Sequence, residues 1–150
     1  MNLGIDFHTH PLLVREMVAR HPELVKPARE TFYIGNTFQP IKTFLLELDE
    51  AGLDKAVLLP IDAQRTRGDM VYTNEHIAEL CSLEPRFIGF ASVDPARPDA
   101  PQLLEHAIKD LGLRGLKLAP AMQEFFADDR MAYPLYEKAV ELGIPILFHA

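Results

Sequence analysis

The chain has 150 residues, of which 48% are hydrophobic and 25% charged, and its formal net charge is −7. This length and apolar share fit one globular domain. The negative charge argues against a nucleic-acid partner, because no basic stripe is available to neutralise phosphates. The single cysteine, Cys81, excludes an internal disulfide and is predicted to be a buried filler at helical spacing from Ile77. Because no basic leader or membrane-spanning apolar run is visible, we predict a cytoplasmic protein without a membrane partner.

The first predicted strand, residues 3–8, leads into the sequence Asp6-Phe7-His8-Thr9-His10-Pro11. Strand side chains alternate between faces, so Asp6, His8 and His10 are predicted to share one face, with the imidazoles about 7 Å apart along the backbone. Two imidazoles that converge from one strand end can bind a divalent metal. The alternative is a polar strand end whose histidines form only local hydrogen bonds.

A unit of about 30 residues recurs after residue 40. Helices that end at Gly52, Gly112 and Gly143 each precede an apolar strand, and Pro85 breaks the chain at the matching point of another unit. The predicted strands after the first are 55–60, 87–93, 114–119 and 145–149.

The predicted helices between these strands carry apolar stripes at helical spacing. One stripe runs from Ile41 to Leu48, and another lies at 103–111. Further helices are predicted to begin near Asn74 and Tyr133, and Asp99 with Gln102 resembles a capping box.

Buried strands that alternate with amphipathic helices predict an α/β fold with a parallel sheet. Eight such units would make about 240 residues, close to the ~250 of a (β/α)8 TIM barrel. Residues 1–150 are therefore predicted to be the N-terminal part of such a barrel, covering about five β/α units. A complete open doubly wound sheet is the less favoured alternative, because the first loop lacks a glycine-rich phosphate cradle. Residues 11–40 are either an irregular surface loop or a lid over the strand ends.

The carboxyl ends of parallel strands meet on one face, and His149 ends the last predicted strand there. His8, His10 and His149 are therefore the candidate metal ligands. Lys117 alternates with Leu116 and Leu118, so it is predicted to point into the barrel mouth. It could bind a substrate carboxylate, be carbamylated to bridge two metals, or form a structural ion pair with Asp94 or Asp6.

The loop after the second strand carries Asp62, Arg65 and Arg67. The two arginines are candidates for binding an anionic substrate group, with ordinary solvated side chains as the alternative. Asp94, before Pro95, is predicted to form a turn. Three histidines are left outside the site: His21, which is unassigned, and His76 and His106, which are predicted to be solvated on polar helix faces.

Taken together, these segments resemble the amidohydrolase superfamily, in the amidohydrolase-related branch that includes aminocarboxymuconate-semialdehyde decarboxylase. The resemblance rests on the Asp6-x-His8-x-His10 segment, residues 86–95, residues 115–120 and the stretch from Tyr133 to His149. It covers nearly the whole chain except 11–40.

The resemblance implies a distorted (β/α)8 barrel with a divalent metal at the strand ends. By position, His8 and His10 are the strand-one ligands and His149 the strand-five ligand, while a further histidine and an aspartate would lie beyond residue 150. Zinc is the expected ion and manganese the alternative. Lys117 occupies the strand-four position where some members carry a carbamylated lysine, which the decarboxylase branch generally lacks.

The predicted function is a metal-dependent hydrolase that acts on a small carbonyl or carboxylate substrate through a metal-activated water. Lys117 and Asp6 are the candidate catalytic residues, and Lys117, Arg65 and Arg67 the candidate substrate-binding residues. The first alternative is non-oxidative decarboxylation with the same metal, and the second is a non-catalytic metal-binding barrel. The predicted partner is a small-molecule substrate, and a homodimer is left open as the assembly.

Overall fold

A computed structural model describes residues 4–11, 13–70 and 72–149. Its strands are all parallel and are hydrogen-bonded in the order β1-β2-β3 and β4-β5-β6. Their bounds are β1 Ile5–Thr9, β2 Lys55–Leu58, β3 Phe87–Gly89, β4 Ala91–Ser92, β5 Leu116–Leu118 and β6 Ile146–Phe148. The five predicted strands are confirmed in position and direction, although residue 3 at the start of the first lies outside the described residues.

The third predicted strand is divided at Phe90 into β3 and β4. Gly89 is the last residue in register with β2, and Ala91 is the first in register with β5. The backbone amide of Phe90 still donates to Leu58 O at 3.0 Å, and that of Ala91 donates to Gly115 O at 2.8 Å. Hydrogen bonding therefore continues from β2 through this strand to β5.

Seven α-helices are described, and the four longest have ten residues each. Their bounds are α1 Arg15–Arg20, α2 Ile41–Glu50, α3 Gln64–Arg67, α4 Asn74–Leu83, α5 Ala100–Lys109, α6 Pro120–Gln123 and α7 Tyr133–Leu142. Short 3-10 turns occupy Pro22–Leu24 and Arg130–Ala132, and a π turn occupies Pro27–Thr31. Among the described helices, none combines the length and the apolar character needed to cross a membrane.

The structure confirms the glycines predicted to end helices, but it does not confirm the predicted capping box. The glycines at 52, 112 and 143 all have positive φ. The capping box predicted at Asp99 is wrong, because both carboxylate oxygens of that residue accept hydrogen bonds from Arg97 instead. A capping box forms at α4, where Thr73 and His76 cap each other.

The sheet separates two groups of buried side chains. Leu116 and Leu118 belong to the large core between sheet and helices. Val57, Leu59 and Phe90 form a smaller cluster on the opposite face, with Ile88 and Leu147 packed against it. We call this smaller group the interior cluster, and the polar residues of the strand ends lie next to it.

Close packing at Gly115 predicts a large effect of a single methyl group. A Cβ at this position would lie 2.4 to 2.7 Å from three atoms of the Phe90 ring, a side chain fixed in the interior cluster. We expect Gly115→Ala to lower the free energy of unfolding by about 1–3 kcal/mol through overpacking. Urea unfolding of the purified protein measures this.

Gly35→Ala is the matched control, because nothing lies within 4 Å of a Cβ at that glycine. Equal unfolding midpoints for the two variants would show that Phe90 does not pack on Gly115.

Candidate metal centre at the strand ends

The first strand carries a β-bulge that the sequence pattern did not reveal. Asp6 is in register with Ala56 and Thr9 with Leu58, so β1 has one more residue than β2 across this stretch. Phe7 packs edge to face on Phe90 of the interior cluster, with ring centroids 5.6 Å apart. The bulge therefore breaks the strict alternation of side chains along β1.

The alternation of strand side chains predicted that Asp6 shares a face with His8 and His10. The structure shows that it does not. Its register partner Ala56 packs in the helix-side core, so Asp6 lies on that side of the sheet. Its carboxylate accepts a hydrogen bond from the backbone amide of His8 at 3.1 Å. Asp6 thus holds the bulged backbone that carries His8, while its proposed catalytic role stays a prediction.

The structure brings the three predicted ligand histidines together. Nitrogen atoms of His8, His10 and His149 all lie within 4.8 Å of one another. The His8 ring is 5.2 Å from the His10 ring and 5.7 Å from the His149 ring, measured between centroids. The amide of His149 donates to Leu118 O at 2.9 Å, which fixes the backbone after β6 beside β5.

The hydrogen bonds of two rings determine which nitrogen is available to a metal. His10 Nδ1 lies 2.9 Å from Leu59 O. A carbonyl oxygen can only accept, so Nδ1 of His10 carries the proton and Nε2 presents a lone pair. His8 Nε2 lies 3.4 Å from Lys117 Nζ, and a lysine ammonium can only donate. Both rings therefore offer Nε2 as a ligand atom.

The site favours neutral imidazoles. Burial, followed by the positive charge of Lys117, lowers the pKa of His8. Burial also lowers the pKa of His10, against the effect of its bond to Leu59 O, and Lys117 adds to the lowering. Metal ligation requires the unprotonated ring, so these shifts suit a cation site.

Lys117 points away from the helix-side core into the interior, as predicted, and is fully buried. Burial lowers the pKa of its ammonium to about 8. The predicted structural ion pair with Asp94 or Asp6 is not formed among the described residues, and the polar contact of Nζ is the one to His8. A buried ammonium without a carboxylate is a group that an anionic ligand would stabilise.

Arg65 is held by protein groups rather than free for a ligand. Its Nε donates to Asp94 Oδ2 at 2.7 Å, and its guanidinium also bonds the carbonyl of Gln123. Asp94 also accepts the Ala96 amide at 2.9 Å, which confirms its predicted turn. Arg67 is exposed on the same short helix, α3. The substrate-binding roles of both arginines stay predictions.

Residues 11–40, the β1–α2 connection, cover part of the strand ends. Phe32 and Ile34 of this connection line a cavity of about 250 Å³ beside His10. The role of this connection as a lid stays a prediction. The other described residues that line the cavity are Pro11, Leu59, Pro60, Ile61, Tyr72 and Met122. Arg65 and Arg67 are not among them.

A family model matches nearly the whole chain, including all the residues of this site. The sequence model of the amidohydrolase family, Amidohydro_2, matches residues 5–150. The chain belongs to the amidohydrolase family. This confirms the resemblance to amidohydrolases that the sequence analysis found.

Three relatives illustrate what this amidohydrolase chain is similar to. Over 80 residues it is 32% identical to 2-amino-3-carboxymuconate-6-semialdehyde decarboxylase of Dictyostelium discoideum, a match of 52% of this chain and 22% of the relative. A manganese-bound 5-carboxyvanillate decarboxylase of Novosphingobium aromaticivorans matches with a TM-score of 0.67 and 19% identity, over 98% of this chain and 50% of that one. The 4-oxalomesaconate hydratase of Rhodopseudomonas palustris matches with a TM-score of 0.65 and 23% identity, over 99% and 52%.

These solved structures show that the fold is the amidohydrolase TIM barrel. The amidohydrolase chain spans about half the length of each of them. The predicted parallel α/β barrel is confirmed. Of the candidate metal ligands, His8 lies in β1, His10 directly follows β1, and His149 directly follows β6.

Sequence reasoning missed two residues of the amidohydrolase site region. Gln123 is fully buried, accepts the Ala119 amide at 2.9 Å and donates to Asp62 O at 3.0 Å. Tyr72 is buried beside the cavity at His10. Neither residue belongs to a periodic motif, because each acts through contacts between loops distant in sequence.

Proposed function

We propose that the full-length protein is a metal-dependent decarboxylase of a small carboxylate substrate. The single observation that carries this proposal is the meeting of three imidazoles with a buried lysine that has no carboxylate partner among the described residues. The names of the relatives support decarboxylation at least as well as hydrolysis, because two of the three are decarboxylases.

The donor set fits a divalent ion. Three histidine nitrogens suit zinc or manganese, and manganese is bound in one of the structural neighbours. His10 directs the lone pair of Nε2 to the strand ends because Nδ1 donates to Leu59 O. His8 also offers Nε2, which in the absence of an ion accepts a hydrogen bond from Lys117 Nζ at 3.4 Å; a bound ion would take this lone pair and leave Nζ to an anionic ligand. When bound, the ion would supply Lewis-acid polarisation of substrate oxygens.

Lys117 gives the site its preference for an anion. Its ammonium is buried and lies 3.4 Å from a ligand histidine. A substrate carboxylate would compensate this charge and would be oriented between Lys117 and the three histidines. Lys117 is therefore proposed to bind and orient the group that leaves as carbon dioxide, while the substrate carbon keeps the electron pair of the broken C–C bond and takes up a proton in its place.

The cavity beside His10 is proposed to hold the rest of the substrate. Phe32, Ile34 and Met122 supply apolar walls, and the buried Tyr72 adds an aromatic one. Such walls suit the carbon skeleton of an unsaturated or aromatic carboxylate.

The test is a comparison of products from the manganese- or zinc-loaded full-length protein. We expect release of carbon dioxide from small unsaturated or aromatic carboxylates, measured by a coupled bicarbonate assay, and no turnover of matched esters, amides and lactones. Turnover of the esters, amides or lactones without carbon dioxide release would favour the metal-dependent hydrolase. Stoichiometric metal with no turnover of either set would favour the non-catalytic metal-binding barrel.

A further inference from the structure

A second group of metal-binding side chains lies away from the strand ends. It consists of His21 and Glu23, at the 3-10 turn of the β1–α2 connection, and His76 in the first turn of α4. One ligand atom from each of the three lies within 4.8 Å of the other two. The rings of His21 and His76 are 4.5 Å apart between centroids. His76 is half-buried in the helix cap, so the prediction that it is solvated is wrong.

The surroundings of His21 resemble the outer shell of a metal ligand. Its Nε2 lies 2.7 Å from Glu79 Oε2, and the other oxygen of Glu79 accepts from Arg20 at 2.7 Å. A histidine that binds a metal commonly donates its other ring N–H to a carboxylate, which fixes the ring. His21 Nδ1 is then left facing Glu23 Oε1 at 3.3 Å.

The charged groups around the rings of His21 and His76 are mostly carboxylates, which favour a bound cation. Glu23, Glu75 and Glu79 all act on His76, and the guanidinium of Arg20 pairs with the last of these carboxylates. The carboxylates of Glu23 and Glu79 both lie against the ring of His21, at 3.3 and 2.7 Å, and Arg20 pairs with only one of them. A divalent ion between the rings would balance the remaining negative charge.

We propose that His21, Glu23 and His76 form a second metal site, selective for a borderline divalent cation such as zinc, which fastens the β1–α2 connection to α4. Two imidazoles and one carboxylate are a donor set that zinc accepts, with a water in the fourth position. The site differs from the strand-end centre in every ligand and does not depend on the proposed reaction. By holding the connection in place, it also holds Phe32 and Ile34 over the cavity beside His10.

The helix cap must adjust when the metal binds. His76 Nδ1 accepts the Thr73 amide at 3.2 Å. A metal at Nδ1 replaces this bond, and a metal at Nε2 requires the ring proton to move to Nδ1, so the bond is lost in both cases. The hydroxyl of Thr73 keeps its own bond to the His76 amide, at 3.3 Å.

The test counts zinc ions in the full-length protein at micromolar free zinc. The variant is His76→Gln, because glutamine at this helical position can still serve a capping box but lacks the imidazole. We expect two zinc ions per chain in the unaltered protein, one in His76→Gln, one in His8→Ala and none in the double variant. His106→Gln, on α5 and half-exposed, is the control and should keep both ions.

Hydrogen exchange supplies the second measurement. Zinc should slow amide exchange across residues 15–31 at least tenfold in the unaltered protein and leave it unchanged in His76→Gln. Equal zinc content in His76→Gln and the unaltered protein would overturn the proposal and leave the cluster as an ion-paired latch. One ion in the unaltered protein and none in His76→Gln would support this second site. The same result would show that the strand-end histidines bind no metal, so the proposed function would fail.

Discussion

His10→Ala in the full-length protein is expected to lower turnover by at least about 100-fold. Losing a residue that only hydrogen-bonds to a metal ligand costs up to about 100-fold, and losing the ligand itself should cost at least as much. Nε2 of His10 offers the lone pair that the candidate centre needs, because Nδ1 donates to Leu59 O at 2.9 Å. The metal content should fall with the activity. Elemental analysis and the carbon dioxide assay measure the two effects on the same sample.

The fold should survive this substitution. The ring loses one hydrogen bond to a backbone carbonyl, which costs about 1 kcal/mol. His106→Ala is the matched control, since its ring bonds Asp110 on the surface of α5. Full activity and full metal content in His10→Ala would show that His10 is not a ligand.

Lys117→Met is expected to make the metal-free protein more stable and the enzyme less active. The side chain is fully buried, and burial lowers the pKa of the ammonium to about 8, which means that the fold opposes its charge. At pH 7 the amine is still mostly protonated, so the cost of the buried charge is present. Methionine fills a similar volume without charge. The free energy of unfolding should rise by about 1–3 kcal/mol, since one pKa unit corresponds to about 1.4 kcal/mol.

The activity of the same variant should move in the opposite direction. If Lys117 orients the substrate carboxylate, kcat/KM for the anionic substrate should fall about 10- to 100-fold, the value of one charge-assisted hydrogen bond. Lys138→Met is the control, because that lysine of α7 bonds surface carboxylates of Glu105 and Glu141. Its loss should change stability by less than about 1 kcal/mol and leave activity unchanged. A Lys117→Met protein that is less stable and fully active would contradict the proposed role.

The sequence was sufficient for the parts of the fold that depend on periodicity. Strands with continuous apolar runs and helices that end at glycine were found within a few residues, because burial and backbone conformation restrict which amino acids occur there. The meeting of His149 with His8 and His10 also followed, since parallel strands end on one face.

The remaining features depend on a local irregularity or on contacts between distant residues, which leave no repeating pattern in the sequence. The bulge in β1 moved Asp6 to the helix side, although strict alternation had placed it beside the histidines. Arg65 bonds Asp94, a residue 29 positions away, which a motif in one loop does not reveal. The cap at His76 and its contact with His21 likewise join segments that only the folded chain brings together.

The central claim is that imidazoles from the first and last described strands bind one ion. Anomalous X-ray diffraction from crystals of the metal-loaded full-length protein tests it most directly. The account predicts that one strong peak lies between the three rings, about 2.0–2.2 Å from one nitrogen each of His8, His10 and His149, the bonding range of zinc and similar ions. A well-ordered site with the His149 ring turned away from the metal, or no peak between these three rings, would contradict it.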